Sequence, residues 1–301
     1  MSLLKKNTLF FLLKKKIKSN KLSKLLGTII PKITCIDIGA SKFVHIKWLY
    51  FLNSKNTTWI AAEPFNNDLS YQKKWVWDAH LETYENAFHN KSGIKKFFIT
   101  NIPTGSSLKK INIHPSMKHR VNQSYIYPLK EKNIKTISLK KIIEKIQTPV
   151  FLKIDTQGTE YEIIKNIENE IKKNKILGLE VESSLLAKPN HVDGSKFHKI
   201  QEYMEKNKYE LIELKVIKFK SSQINKNNNY IPNECDAVFV PRLDIILKMN
   251  LKSQILILVF YLCYNLNFES LNLINTSKQL NNFLKRKKLH KFLEKELIKF
   301  I

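Results

Sequence analysis

Two short apolar runs in this chain each end on a carboxylate followed by a turn: CIDIGAS at residues 35–41 and FLKIDTQG at residues 151–158. A buried strand that stops on an acid, turns at a glycine and opens a helical pattern is the strand-to-helix joint of a doubly wound sheet. Strands and helices alternate around both joints. Ile33–Ile38, Thr57–Ala62 and residues 81–88 read as strands, with helices expected at 42–52 and 68–75. Alternation resumes with a helix at 138–146, a strand at Val150–Ile154 and a helix at 159–172 carrying Ile164, Ile167 and Ile171 on one stripe. A strand at 176–181, a helix at Phe197–Lys206 and strands at 209–219 and 237–240 complete the series. This order predicts an α/β, Rossmann-like and mostly parallel sheet with right-handed crossovers.

The flanks and one internal stretch differ. Residues 89–133 hold Pro103, Gly105, Pro115 and Pro128 and read as a loop-rich insert. The chain divides into a basic helical segment (1–30), a central domain (31–242) and a helical C-terminal extension (243–301). Residues 9–13 are apolar between lysines, too few to span a bilayer. They read either as packing on the protein or as a peripheral membrane contact through a basic amphipathic helix. The run at 255–263 is also too short to span and predicts a buried core helix.

Net charge is +26, which suits a nucleic-acid partner. Only Arg120, Arg242 and Arg286 are arginines, however, so lysine carries nearly all of the charge. Lys, Asn and Ile share A/T-rich codons, and base composition alone accounts for the excess. A specific reader of nucleic acid draws on arginine, whose planar fork pairs with phosphate and guanine, so a nucleic-acid partner is not expected. Cys35, Cys235 and Cys263 are odd in number, far apart and in apolar contexts. They predict buried thiols in a reducing, cytoplasmic setting, and no Cys/His cluster suggests a metal.

The joint at Asp37-Ile-Gly39-Ala40-Ser41 is where a doubly wound sheet receives a nucleotide-like ligand. A helix opening there offers unpaired N–H groups, and Gly39 clears space for ligand approach. The fingerprint G-x-G-x-x-G is absent, since Ser41 and Val44 stand where its other glycines would be. A pyrophosphate needs those glycines, whereas S-adenosylmethionine, an adenosine with an amino-acid tail, does not. Glu63 ends the second strand, 26 residues after Asp37. An acid at that place accepts hydrogen bonds from ribose hydroxyls. Asn86 and Ala87, after the third strand, are expected to face the adenine.

CIDIGAS, AAEP (61–64), GSSL (105–108), FLKIDTQGTEYEIIK (151–165) and LGLEVE (177–182) together resemble the FkbM-like family of S-adenosylmethionine-dependent methyltransferases. The stretch from Lys153 to Glu160 is similar to that family's K-I-D-x-[EQ]-G-x-E signature. The resemblance implies a seven-stranded class I methyltransferase sheet with the last strand, 237–240, inserted antiparallel. It also implies methyl transfer to oxygen, on a hydroxyl of a sugar, glycan or related natural product.

Methyl transfer from a sulfonium needs the acceptor oxygen aligned and its proton removed. Lys153 and Asp155 lie two apart and so share a strand face. Asp155 is expected beside the methyl group or the acceptor hydroxyl, with Lys153 keeping it ionised. Glu160, one turn into the next helix, reads as a third catalytic candidate or as an acid complementing the helix dipole. Glu180 and Glu182 alternate on the following strand, where they read as acceptor ligands or ordinary strand-end acids. His45, His114, His119 and His191 are scattered, and Trp75 and Trp77 read as packing. Two further readings stand beside O-methyl transfer: an RNA methyltransferase, which lacks here an aromatic-proline loop for stacking a flipped base, and a non-catalytic module binding a nucleotide-like ligand.

Overall fold

The structure, a computed structural model, describes residues 21–41, 44–64, 66–112, 127–220 and 230–298. The elements run α1 (Lys21–Ile29), β1 (Ile33–Ile38), α2 (Leu49–Leu52), β2 (Thr57–Ala62), α3 (Asn66–Trp75), β3 (His80–Tyr84), β4 (Ala87–His89), β5 (Gly93–Thr100) and β6 (Pro128–Ser138). They continue with α4 (Leu139–Ile143), β7 (Val150–Ile154), α5 (Glu160–Asn166), α6 (Glu168–Lys172), β8 (Ile176–Ser184), α7 (Phe197–Lys206), β9 (Tyr209–Lys220) and β10 (Tyr230–Pro241). Five helices close the described chain: α8 (Leu243–Ile246), α9 (Leu251–Cys263), α10 (Asn267–Thr276), α11 (Lys278–Arg286) and α12 (His290–Ile298).

Seven strands form the central sheet in the order β3-β2-β1-β7-β8-β10-β9. β3, β2, β1, β7 and β8 are parallel, and β10 lies antiparallel between β8 and β9. The chain reverses between β1 and β7: β2 and β3 lie on one side, the later strands on the other. The C-terminal tips of β1 and β7 therefore flank the crevice where such sheets bind ligands. β1 is buried on both faces, which is why its sequence is apolar rather than alternating.

Side-chain parity assigns the two faces. Ile36, Ile38, Leu152, Ile154, Leu179 and Val181 pack with Leu139, Ile143, Ile163, Ile167 and Ile200 from the crossover helices. Cys35, Trp59, Phe151 and Val238 point the other way, onto α9 and its neighbours. Every residue of α9 from 253 to 263 is buried, so the helix is apolar all round. Asn250 caps it, its side chain accepting from Ser253 N–H at 3.0 Å. Phe260 of α9 stacks on Phe151 of β7 with centroids 4.4 Å apart. Gly178 of β8 makes this possible, because a Cβ there would lie 2.7 Å from the Phe260 ring. All three cysteines are free and buried.

Four expectations change. Among the described residues no helix follows Gly39 directly: a 3-10 turn at Ile46–Trp48 and the four-residue α2 stand within the helix expected over 42–52, and α9 packs against both on that face of the sheet. The strand expected at 81–88 divides between β3 and β4, which belong to different sheets. Within the stretch expected to be loop-rich, β5 pairs antiparallel with β6, and β4 joins β6 to make a three-stranded second sheet. The helix expected at 159–172 breaks at Ile167, whose φ of −105° and ψ of 25° leave the helical range.

Among the described residues no helix is long and apolar enough to cross a membrane. Residues 1–20, on which the expected membrane contact rests, and His114 and His119 lie outside the described residues.

Candidate active site

Gly39, at the tip of β1, has φ +81°. A Cβ built on it would stand 1.9 Å from the Asp155 carbonyl oxygen. The crowding partner is thus the tip of β7 rather than a ligand, and only glycine lets the two tips meet. Asp155 N–H donates to Ile38 C=O at 3.0 Å, which extends the β1–β7 ladder to the turn. The N–H groups of Ala40 and Ser41, expected to be open to a ligand, are engaged by Ala62 C=O at 3.2 Å and Gly39 C=O at 2.8 Å.

A crevice opens above these tips, at the place where small-molecule ligands bind in sheets of this kind. Its floor is Ile38, Gly39, Ser41 and Ala62, and Glu63 and Pro64 form one wall. Ala87 and Phe88 of β4 form another wall, and Asp155, Thr156, Gln157 and Thr159 close the side toward β7. Phe97 of β5 and Pro103, Thr104, Ser106 and Leu108 from the following turn roof it. The lining therefore contains two carboxylates, Glu63 and Asp155, and no cationic side chain among the described residues. In a chain of net charge +26 that is a strong local inversion.

Of the cofactor candidates, Gly39, Ser41, Glu63 and Ala87 line the crevice. Asp37 does not. It is 2% exposed and its Oδ1 lies 3.4 Å from Lys153 Nζ, on the α9 face of the sheet. Ala40 is buried beneath the floor. Asn86 turns its amide toward Lys135 C=O of β6, at 3.4 Å, instead of into the crevice.

Of the catalytic candidates, only Asp155 reaches the crevice. Lys153 stands behind it, 3.4 Å from Asp155 Oδ2 and 3.4 Å from Asp37 Oδ1. Burial works against the ammonium, but Asp37 and Asp155 hold its pKa above the ordinary lysine value. Burial likewise opposes ionisation of Asp155, yet Lys153 and hydrogen bonds from Glu182 and Gln157 hold it below the usual carboxylate range. Gln157 Nε2 donates to Asp155 Oδ1 at 3.0 Å and also to Glu182 Oε2. Burial and the neighbouring Asp155 push Glu182 well above the usual carboxylate range.

Glu160 is turned away from the crevice into its own loop. Its Oε1 accepts from Thr156 N–H, Thr156 Oγ1 and Gly158 N–H, each at 2.9 Å. It is 1% exposed, and burial raises its pKa despite these donors. Its position holds the DTQG turn, in which Gln157 takes φ +58° and Gly158 φ +119°. Ser107 Oγ braces the same turn from the roof, donating to Gln157 C=O at 2.8 Å. His191 Nε2 lies 3.2 Å from Gly105 C=O, and burial depresses its pKa. Trp75 is in the core under the sheet. Gln157 and Ser107 were legible as members of quoted motifs, but their role is not: it depends on a contact made across fifty residues.

The strand order, the reversal between β1 and β7 and the carboxylate-lined crevice define a class I S-adenosylmethionine-dependent methyltransferase fold. Residues 37–211 match the methyltransferase FkbM domain model, more than half of the 301-residue chain, and the chain belongs to that family. No curated protein matches it in sequence. Similar solved structures include a precorrin-6y C5,15-methyltransferase from Geobacter metallireducens GS-15, at 11% identity over 73% of this chain and 85% of that one, TM-score 0.31. A SAM-dependent methyltransferase from Anabaena variabilis ATCC 29413 is 13% identical over 71% and 79%, TM-score 0.31. An S-adenosylmethionine-dependent methyltransferase from Clostridium acetobutylicum ATCC 824 is 7% identical over 78% and 98%, TM-score 0.30.

The cofactor of the family is S-adenosylmethionine, and the crevice suits it. Glu63 offers a buried carboxylate for a ribose diol, and Phe88, Phe97, Pro64 and Leu108 offer apolar surface for a purine. The two lining carboxylates, Glu63 and Asp155, suit a sulfonium and disfavour phosphate.

Proposed function

We propose that the chain is an O-methyltransferase acting on a hydroxyl of a sugar, glycan or related natural product. The observation that carries this reading is Asp155: a carboxylate at the tip of β7, facing the crevice, with the Lys153 ammonium 3.4 Å behind it. Bound S-adenosylmethionine supplies an activated methyl group on sulfur. Glu63 would hold the ribose of that cofactor, and the apolar lining residues Phe88, Phe97 and Leu108 would face its base. Asp155 accepts the hydrogen bond of the acceptor hydroxyl, aims its oxygen, and takes its proton as the new C–O bond forms. Lys153 and Gln157 fix the carboxylate in place and in its charged form. Glu182, whose pKa burial and Asp155 raise, stands beside Asp155 and shares the Gln157 amide with it.

The lining carboxylates also weigh against a nucleic-acid acceptor, whose phosphates would meet Glu63 and Asp155. The test is a methyl-transfer screen over cellular extracts with mass detection of the product, run with the wild type and Asp155→Ala. A hydroxyl-containing product that needs Asp155, with cofactor binding retained in the variant, is expected. A fully active Asp155→Ala or a methylated RNA product would overturn the reading.

A further inference from the structure

The strand register lines up three ionisable residues across the sheet: Asp37 on β1, Lys153 on β7 and Glu180 on β8. Asp155 lies two residues on from Lys153, on the same face. Three carboxylates thus stand around one ammonium. Lys153 nevertheless pairs with only two, at 3.4 Å from Asp37 and 3.4 Å from Asp155, and no ion pair joins it to its register partner Glu180.

Glu180 is occupied from the other side. His45 Nε2, from the loop after β1, lies 2.8 Å from its Oε2. The hydroxyl of Tyr264, the residue that ends α9, donates to the same oxygen. Trp48 Nε1 donates in turn to the Tyr264 hydroxyl at 2.8 Å, which turns the phenol's own proton toward Glu180. The Tyr264 ring is fixed against Phe260, with centroids 4.7 Å apart. Tyr264 lies outside the stretch matched by the family model, which ends at residue 211.

We propose that Tyr264 is a positioning residue of the methyl-transfer site: its hydroxyl occupies Glu180 and so leaves Lys153 to Asp37 and Asp155. The C-terminal helices are then more than a cover for one face of the sheet, because they set the charge behind the crevice. The directions of the shifts agree. Burial opposes ionisation of Glu180, but His45, then Tyr264 and Lys153, hold it down to about 2, so Lys153 already feels this charge at longer range than its pairs with Asp37 and Asp155. Without the phenol, that anion turns further toward Lys153, and Asp155 loses part of its counter-charge. The other ionisable groups facing Asp155 are Glu182 on β8 and Glu234 on β10. Lys47 faces the Tyr264 ring at 4.5 Å.

This inference rests on Asp155 as the working carboxylate, but its test needs no acceptor. The full chain is labelled with aspartate bearing 13C at the side-chain carboxyl, and the Asp155 signal, assigned with Asp155→Asn, is followed by NMR against pH. Tyr264→Phe keeps the ring and removes only the hydroxyl. It is expected to raise the Asp155 midpoint by about one pH unit or more, the usual effect of losing a close opposite charge. Adding Glu180→Gln to Tyr264→Phe removes the competitor and is expected to restore the wild-type midpoint. A folded Tyr264→Phe protein with an unmoved midpoint, or a double variant that stays shifted, overturns the proposal. Should Tyr264→Phe not fold, His45→Gln withdraws the other partner of Glu180. An upward shift there upholds the proposal, and an unmoved midpoint overturns it. Titration of the same samples with S-adenosylmethionine reports separately on the functional reading.

Discussion

Lys153 Nζ lies 3.4 Å from Asp37 Oδ1, across the register pair that joins β1 to β7 at the centre of the sheet. Both side chains are largely buried, at 16% and 2% exposure. A pair of this kind is costly to break because the surviving charge has no solvent. Lys153→Met should therefore lower the unfolding free energy by about 3–5 kcal/mol. Urea unfolding followed by circular dichroism measures it. A change within experimental error would mean that water reaches Asp37 when the lysine is gone.

Glu160 holds the DTQG turn through bonds to Thr156 and Gly158. Glu160→Ala leaves those half-buried N–H groups without their carboxylate acceptor, at a cost of about 1 kcal/mol or more. Hydrogen exchange should accelerate at residues 156–158, while strands β1 and β2 keep their protection. Cofactor affinity should fall less than for changes at Glu63, since Glu160 does not line the crevice. An unchanged exchange pattern would contradict the bracing role.

Stability should decline as pH rises through the weakly acidic range, and Glu234 is one source. Burial lifts its pKa from 4.5 to about 7, although Asn190 donates to it. The folded state then binds more protons than the unfolded one between those values, so unfolding free energy falls as pH rises across that window. A shift of that size corresponds to about 3 kcal/mol. Glu234→Gln should flatten the profile and raise the melting temperature at pH 7.5 relative to wild type, with little difference at pH 4.5. Thermal melts across the range provide the comparison, and parallel profiles would remove Glu234 as the source.

Several strands and one helix are legible because their signals are local. β1, β2, β7 and α7 begin and end where the apolar runs meet their turn residues. What escaped depends on distant chain. The helix expected after Gly39 shortens where α9, two hundred residues later, packs against that face of the sheet. β5 reads GIKKFFIT, a lysine-bearing piece whose strand identity comes from pairing with β6. Within the site, strand-tip acids gave position without direction. Glu63 and Asp155 sit past the last ladder residue and turn into the crevice. Asp37 sits within the strand, and the two-residue alternation sends it to the opposite face from Ile38, which floors the crevice. Glu160 had no such geometric rule, because its direction follows from the left-handed turn at Gln157 and Gly158.

Glu63 lines the crevice between the tips of β1, β2 and β7, and it is the carboxylate proposed to hold the ribose of S-adenosylmethionine. Isothermal titration of the full chain with S-adenosylmethionine tests this most directly. Micromolar binding is predicted for the wild type. Glu63→Ala should weaken it about tenfold or more, the usual consequence of losing a hydrogen bond to a charged group. No heat from the wild type at millimolar cofactor, or equal affinity in the variant, would contradict it.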